Sequence, residues 1–332
     1  MNKWYIGEGD HNDIVISTRI RLARNLADYP FPSRLDNKSK IKINELVRDS
    51  LAGKEKLEYT ELKTLTRAQI VSLAERHLIS TEFASNSDGR ALLMSDDEQI
   101  SIMLCEEDHI RLQVMKSGLD LQGAYELADK IDNEINESLQ YAFDERLGYL
   151  TQFPTNLGTG MRASVVLHLP ALAGKGQLTT LAATVAKLGL TLRGAYGDGT
   201  SVLGDLYQLS NQVSLGISEK AAIENLKTIA LQLVAQERAA REEMKQSIVT
   251  EDEVFRAYGT LKSARILSNR EFMTLISRVR YGAVSGMLKV DLKTINELMV
   301  SLQPATINAF VGRTLNEDER DVERAKIVRE RL

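Results

Sequence analysis

Five arginines occur in separate stretches of predicted strand and loop, and their side chains could converge on one polyphosphate. They are Arg19, Arg21, Arg111, Arg162 and Arg193. A guanidinium group presents a planar fork of N–H donors that matches phosphate oxygens. The chain has no GxxxxGKS/T loop and no protein-kinase set of GxGxxG, HRD and DFG motifs, so arginines would bind the phosphates of any nucleotide. The alternative is that each is an ordinary surface residue.

Acidic residues supply candidate groups for proton transfer and for binding a cation. In the run CEEDHIR, residues 105–111, Glu106 and Glu107 point in opposite directions if the chain is extended. One of them could face an arginine-rich pocket and bind or deprotonate a cationic substrate; a solvated turn is the alternative. Asp198 stands between two glycines on a predicted loop that could bend towards a ligand. An aspartate in such a place is most often a turn residue.

Composition narrows the class of protein. The 332 residues are 43% hydrophobic and 27% charged, typical of a globular protein with room for two domains. The net charge of −4 argues against a general nucleic-acid binder. We expect a cytoplasmic protein, because no apolar run approaches the roughly 20 residues of a membrane span and no secretion signal is recognisable. The single cysteine and four scattered histidines offer no zinc-ligand spacing, so no protein-held metal is expected.

These candidate residues depend on elements that the hydrophobic periodicity predicts. Alternation indicates strands at 13–22, within 91–115, at about 163–169, from 191 and at 206–216. Helical spacing indicates helices at 38–53, 60–78, 119–142 and 175–190. After Ser218 helical patterns dominate, and Thr250 with Glu253 and Ser268 with Glu271 fit capping boxes. The pattern therefore predicts an α+β domain followed, from near residue 245, by an all-helical one.

Four blocks of the sequence resemble the signature motifs of one enzyme family. STRIRLARNL, EEDHIR, PTNLGTGMRAS and RGAYGDG occur in the order and at separations typical of the catalytic domain of phosphagen (guanidino) kinases. With RDVERA near the end, the chain is similar to bacterial protein-arginine kinases of the McsB type. The resemblance implies an antiparallel sheet flanked by helices, glutamine-synthetase-like, over 14–245, and a helical regulatory and dimerisation domain over 246–332. It also implies ATP as the phosphoryl donor, with Mg²⁺ carried by the nucleotide.

The resemblance assigns roles residue by residue. Glu107 matches the catalytic carboxylate, Asp198 a second one, and Phe153 the position of the family's cysteine. A pocket that binds phosphoarginine and regulates activity allosterically is matched by Arg320, Asp321, Arg324 and Ala325. The residues implied to contact ATP are Ser17, Thr18, Arg19, Ile20, Arg21, His77, Arg111, Arg162, Ala163, Ser164, Val165, Val166, Arg193, Gly194, Ala195, Tyr196, Gly197 and Asp198. The glycines of PTNLGTG would let the backbone approach the phosphates.

Two departures from the family bear on function. Phe153 replaces a cysteine whose thiolate lies against the guanidinium, and Asp198 replaces a glutamate and is one methylene shorter. The resemblance implies ATP-dependent phosphorylation of arginine side chains in proteins, which marks them for degradation in stress quality control. The main alternative, favoured by the two departures, is a catalytically weak adaptor that binds phosphoarginine.

A free-arginine kinase is a third possibility. It is disfavoured because the STRIR block begins at Ser17, without the helical domain that precedes it in metabolite kinases. The implied partners are protein substrates with exposed arginine, a second copy in a homodimer, an activator protein, a heat-shock repressor and an ATP-dependent protease. No direct nucleic-acid or membrane partner is expected.

Overall fold

An antiparallel sheet carries most of the residues singled out above. The computed structural model describes residues 3–196 and 202–332. The strands in these ranges are β1 (Val15–Arg24), β2 (Leu57–Glu61), β3 (Ala91–Ser95), β4 (Ile100–Leu104), β5 (Ile110–Ser117), β6 (Phe143–Asp144), β7 (Gly148–Tyr149), β8 (Met161–His168), β9 (Leu190–Gly194) and β10 (Leu206–Asn211). Eight of these described strands form the sheet, in the order β2-β3-β4-β5-β1-β8-β10-β9, while β6 and β7 form a separate hairpin.

Helices pack on the sheet and make up the last third of the chain. Those in the described residues are α1 (Asn37–Ser50), α2 (Arg67–Glu75), α3 (Thr81–Ser85), α4 (Leu121–Asn136), α5 (Pro170–Gly174), α6 (Leu178–Ala186), α7 (Glu219–Lys245), α8 (Ile248–Ser263), α9 (Asn269–Val284), α10 (Leu292–Ser301), α11 (Pro304–Val311) and α12 (Glu317–Arg331). Within the same ranges, no helix is both long enough and apolar enough to cross a membrane.

The register of the sheet decides which side chains share a face. Arg21 of β1 lies opposite Arg162 of β8 on one side and Gln113 of β5 on the other. Residues directly opposite in an antiparallel pair project to the same face. Further along, Ala23 lies opposite Arg111, and Gln208 of β10 lies opposite Arg193 of β9. The alternating polar residues of five strands therefore form one continuous polar face, which we call the arginine face.

The opposite face of the sheet is apolar and covered by helices. Ile20, Leu22, Ala163 and Val165 are fully or almost fully buried in one core with residues of α4 and α7. A second core joins α8–α12 and includes Ile16 and Leu206 of the sheet. A third, around Trp4, Leu73 and Phe83, covers part of the arginine face. The helical last third is therefore packed against the sheet through shared apolar residues.

Most predicted elements are present, and two predictions are wrong. The predicted helix at 60–78 is instead β2, a short 3-10 turn and α2, because Leu57–Glu61 pairs with β3 and so supplies a sheet edge. Thr250 does not start a helix, since α8 already begins at Ile248 and Thr250 is buried within it. Ser268 does cap α9, where its hydroxyl accepts from the Glu271 N–H at 3.2 Å. The helix predicted at 119–142 is α4, which ends at Asn136.

Candidate active site

A cavity of about 650 Å³ opens over the arginine face and is lined by all five arginines named from the sequence. The sheet supplies Arg19, Arg21, Arg111, Arg162 and Arg193. The remaining walls come from the α2–α3 turn, the loop 105–109 and the loop 153–160. The sequence predicted that these arginines could converge, and the strand register brings them together.

The arginines crowd one another, and although Arg111 pairs with Glu106, no carboxylate among the described residues pairs with Arg19 or Arg21. Burial, followed by the charges of Arg111 and Arg193, lowers the pKa of Arg19 to about 10. Burial and the neighbouring guanidinium groups also lower the pKa of Arg21 and Arg162. Among the described residues, Nε and Nη2 of Arg21 are buried without a hydrogen-bond partner. Such orphaned donors are rare in proteins, so this site fits a multiply charged anion such as a polyphosphate.

Gln208 and His77 extend the set of donors around Arg19. Arg19 donates to Oε1 of Gln208 at 2.8 Å. Nε2 of Gln208 and Nε2 of His77 are both buried, and neither has a hydrogen-bond partner in the part of the chain that the structure describes. Burial, reinforced by Arg19 and Arg21, lowers the pKa of His77 to about 3, so the ring is neutral at physiological pH. Its ring lies 4.6 Å from that of Tyr196, centroid to centroid.

The two glutamates of the EED run take separate positions. The side chain of Glu106 is fully buried and accepts a hydrogen bond from Arg111 at 2.7 Å and another from Ser80. Glu107 lines the cavity, with its Oε2 at 3.8 Å from Nη1 of Arg111. Burial raises the pKa of Glu107, an effect that Arg111 opposes and Glu106 reinforces. Glu107 is therefore the carboxylate placed to meet a cationic ligand, and Glu106 holds Arg111.

Asn25 and Asp108 fix this acidic loop, a role that no motif of the sequence predicts for either residue. Asp108 accepts from Nδ2 of Asn25 at 2.6 Å and from the backbone N–H of Gln152 at 2.8 Å. The amide oxygen of Asn25 accepts from the backbone N–H of His109 at 2.9 Å. The loop that bears Glu107 is thereby tied to β1 and to the segment just before Phe153.

Phe153 lies at the cavity wall and is 44% exposed. Thr155, Asn156 and Gly160 from the same loop also line the cavity. The glycines here serve protein packing: a Cβ at Gly158, where φ is 96°, would lie 2.2 Å from the Ser214 carbonyl oxygen. One at Gly160 would lie 2.7 Å from the Ala23 carbonyl oxygen. Both glycines therefore allow close backbone packing, and their approach to phosphate stays a prediction.

Several residues predicted to contact the nucleotide lie elsewhere. Strand alternation directs Ile20, Ala163 and Val165 into the core beneath the sheet. Thr18 is also buried, and its hydroxyl donates to the Gly118 carbonyl at 2.7 Å. A small cleft beside the main cavity is bordered by Trp4, His77 and three further predicted residues, Ser17, Ser164 and Val166. Gly194 and Ala195 do line the cavity, whereas Gly197 and Asp198 lie outside the described residues.

Comparison with known proteins places this geometry in a family. Residues 39–240 match the model of the ATP:guanido phosphotransferase C-terminal catalytic domain. Residues 247–332 match the protein-arginine kinase McsB C-terminal domain. The chain belongs to the ATP:guanido phosphotransferases, in their protein-arginine kinase branch. The resemblance seen in the sequence motifs is thereby confirmed, as is the antiparallel phosphagen-kinase fold with a helical C-terminal region.

Relatives of this phosphotransferase match it along nearly its whole length. The protein-arginine kinase of Caldanaerobacter subterraneus is 46% identical over 327 residues, covering 96% of this chain and 97% of its own. That of Halothermothrix orenii is 42% identical and covers 100% and 97%. Among solved structures, a lombricine kinase aligns with a TM-score of 0.62 at 28% identity, covering 73% of this chain and 70% of its own. The family is therefore enzymatic, and its members are phosphotransferases.

The C-terminal motif of this phosphotransferase is built into the helical core. Arg324 is 1% exposed and donates to the carbonyls of Leu302 at 3.0 Å and Leu267 at 2.6 Å, and to Asp321 at 2.5 Å. Ala325 is fully buried beside it. Arg320 is half-buried and donates to the Leu315 carbonyl at 2.9 Å. The structure thus places Arg324 and Ala325 away from the surface, and the phosphoarginine pocket stays a prediction.

Proposed function

We propose that this chain transfers the γ-phosphoryl group of ATP to arginine side chains of proteins. The observation that carries the proposal is the convergence of five arginines on one face of the sheet, with Glu107 on the wall of the same cavity. The arginines fit the anionic donor, and the carboxylate fits a cationic acceptor. One site therefore contains groups that suit the phosphoryl donor and groups that suit the acceptor.

The donor ATP would lie with its phosphates on the arginine face. The unpartnered N–H groups of Arg21 are placed to donate to phosphate oxygens, and Arg19, Arg111, Arg162 and Arg193 would neutralise the remaining charge. Mg²⁺ would arrive with the nucleotide and share that role. Fixed cationic donors of this kind stabilise the charge that spreads over the phosphoryl oxygens in the transition state.

The acceptor guanidinium needs a base, because its pKa lies above about 12. Glu107 would orient one guanidinium nitrogen towards the γ-phosphorus and take its proton as the N–P bond forms. The bond from the γ-phosphorus to the bridging oxygen breaks, and ADP leaves. In-line alignment of this kind can lower a barrier by roughly 7–11 kcal/mol. Asp198, predicted as a second carboxylate, would flank the same group.

Wider roles follow from the family and are also proposals. Residues 14–245 would form the catalytic domain, and 246–332 a domain for regulation and dimerisation. Phosphoarginine bound at Arg320 to Ala325 would tune activity allosterically. We place the protein in the cytoplasm, where it would mark damaged proteins for degradation under stress. Its partners would be an activator protein, a heat-shock repressor and an ATP-dependent protease.

The proposal is tested by incubating the protein with ATP-Mg²⁺ and an unfolded arginine-rich protein, then assaying acid-labile phosphate on arginine. Wild type should give phosphoarginine, and Glu107→Gln should lower the rate by about a hundredfold or more. Asp318→Asn, a charge change at the exposed start of α12, is the matched control and should leave the rate unchanged. Absence of transfer by wild type under conditions where ATP binds would contradict the proposal.

A second candidate, a weak kinase that acts as a phosphoarginine-binding adaptor, is favoured by Phe153. A phenyl ring carries no negative charge, although it could stack on a guanidinium face. If the departures limit the rate, Phe153→Cys and Asp198→Glu should each raise it, and free arginine should be a poor acceptor throughout. Unchanged rates in both variants would remove the argument for catalytic weakness. Efficient phosphorylation of free arginine would instead favour the metabolite-kinase alternative.

A further inference from the structure

A groove of about 400 Å³ lies on the far side of the loop that bears Phe153. It is bounded by the β6–β7 hairpin, by Gly158 and Thr159, and by the segment 214–219. We call it the lateral groove. Three large apolar side chains line the lateral groove and are exposed: Phe143 at 58%, Leu147 at 43% and Leu215 at 47%. Grouped exposed apolar residues of this kind mark binding surfaces more often than isolated ones do.

The lateral groove and the active-site cavity share one wall. Phe153, Thr155 and Asn156 of that wall face the cavity, whereas Gly158 and Thr159 face the groove. The wall is held firmly: Ser214 donates from its hydroxyl to the carbonyls of Thr155 at 3.0 Å and Leu157 at 2.8 Å. The Tyr149 N–H donates to the Gly158 carbonyl at 2.9 Å. A chain crossing this wall would therefore pass from one site into the other over a few residues.

The size and chemistry of the groove fit a polypeptide segment. Thirteen residues line it, whereas a stable interface between two proteins takes about 20–30 residues on each side. Its charged residues have both signs, Arg146 and Glu219, so it does not select an anion or a cation. Tyr149 and Ile217 are half-buried and line it along with the exposed apolar side chains. An apolar side chain on an extended segment matches these features better than a second copy of the chain.

We infer that the lateral groove binds an apolar side chain of the protein substrate while an arginine a few residues away occupies the cavity. The inference rests on the proposed function and adds a selection rule to it. Arginines near an apolar residue on an unfolded segment would be preferred. An arginine in a hydrophilic surface loop, or free arginine, would gain nothing from the groove.

Two peptides that differ at one position test the rule. Each carries a single arginine in a Gly/Ser background, and one has a leucine a few residues away; a series places that leucine at each distance on both sides. Wild type should show kcat/KM roughly tenfold higher for the best leucine peptide, through KM, as expected for burying one such side chain. The Phe143→Asp/Leu215→Asp double variant should lose that advantage and keep the rate on the Gly/Ser peptide.

Phe310→Asp is the matched control, because Phe310 is 81% exposed on α11, outside both sites. It should leave both peptides unaffected. If the double aspartate variant has a lower melting temperature than wild type, the Phe143→Ser/Leu215→Ser double variant is used in its place. A double variant that still prefers the leucine peptide overturns the inference. So does a change of oligomeric state in size-exclusion chromatography with unchanged peptide kinetics, because the groove would then be an interface between copies.

A binding assay separates this inference from the proposed function. Fluorescence anisotropy with the leucine peptide, its arginine replaced by lysine, reports the groove without any phosphoryl transfer. If wild type binds this peptide but phosphorylates none, the proposed function fails and the groove stands. If wild type phosphorylates arginine but no leucine position improves either binding or kcat/KM, the groove fails and the proposed function stands.

Discussion

The carboxylate of Glu75, at the end of α2, caps the first turn of α11 at Thr306, in the helical last third. Its Oε2 accepts from the Thr306 N–H at 2.7 Å and from the Thr306 hydroxyl at 2.9 Å, while Oε1 accepts from the Ala305 N–H at 2.9 Å. Glu75 ends α2, and His77 at the cavity follows two residues later. The first turn of α11 therefore helps to hold the segment that carries His77.

Glu75→Ala should weaken ATP binding severalfold, because α2 and His77 lose their anchor on α11. Stability should fall by about 1–3 kcal/mol, since the N–H groups of the first turn lose a charged acceptor. Nucleotide titration and urea unfolding measure the two effects separately. Glu75→Gln, which keeps an acceptor oxygen, should recover most of the affinity. Glu45→Ala on the exposed side of α1 should alter neither quantity, and an unchanged ATP affinity in Glu75→Ala would refute the link.

The acid limb of the pH–rate profile should report Glu107. It can accept a proton only when ionised, and burial raises its pKa. Activity should therefore be lost, as the pH falls, at a pH above the ordinary carboxyl range near 4.3. Asp108 contributes to the raised pKa, so Asp108→Asn should move the acid limb to lower pH. Glu58→Gln on the exposed side of β2 should not move it, and an unmoved limb in Asp108→Asn would argue against Glu107 as the base.

Thiol reagents should not inhibit this enzyme. Its one cysteine, Cys105, is 1% exposed, and burial raises its thiol pKa to about 12. Because the thiolate is the reactive form, iodoacetamide and peroxide should leave the phosphorylation rate unchanged. Phe153→Cys places a thiol on the cavity wall and should make the same reagents inhibitory. Inhibition of wild type, with alkylated Cys105 found by mass spectrometry, would mean that Cys105 becomes accessible.

Asp132→Ala should be strongly destabilising, because it leaves Arg24 buried without its counter-ion. Arg24 donates to Oδ2 of Asp132 from Nε at 2.9 Å and Nη2 at 2.8 Å, and its guanidinium lies 3.5 Å from the Tyr149 ring centroid. Removal of one member of a buried pair typically costs about 3–5 kcal/mol. The urea midpoint should fall with little change in m-value. Glu126→Ala, exposed on the same helix, should shift the midpoint only slightly.

The sequence was most informative where chemistry and periodicity coincide. Alternation in β1 predicts that Arg19 and Arg21 share one face, and the five arginines that the sequence singled out do line one cavity. The apolar stripe of α4 predicts the start of that helix to within two residues, whereas its end at Asn136 lies six residues before the predicted 142. These features depend on local spacing, which a single sequence displays.

The features that the sequence did not predict depend on contacts between distant segments of the chain. No local pattern sets the register that aligns Arg21 with Arg162, and none predicts the bonds from Asn25 to Asp108. The segment 57–61 has helix-compatible spacing but pairs with β3, because tertiary pairing outweighs weak local preference. Alternation could have excluded Ile20, Ala163 and Val165 from the nucleotide site, since the same rule that exposes Arg19 buries their side chains.

The position of Trp4 makes its fluorescence sensitive to the arginine face. It is the one tryptophan of the chain, it is buried, and it borders the small cleft formed with Ser17, Arg19 and His77. Its indole N–H has no hydrogen-bond partner among the described residues. A nucleotide that reorders Arg19 or His77 changes the polarity around that indole. The intrinsic fluorescence of Trp4 should therefore change when a nucleotide binds at the arginine face. Nucleotide binding to the wild-type chain can then be followed without a label.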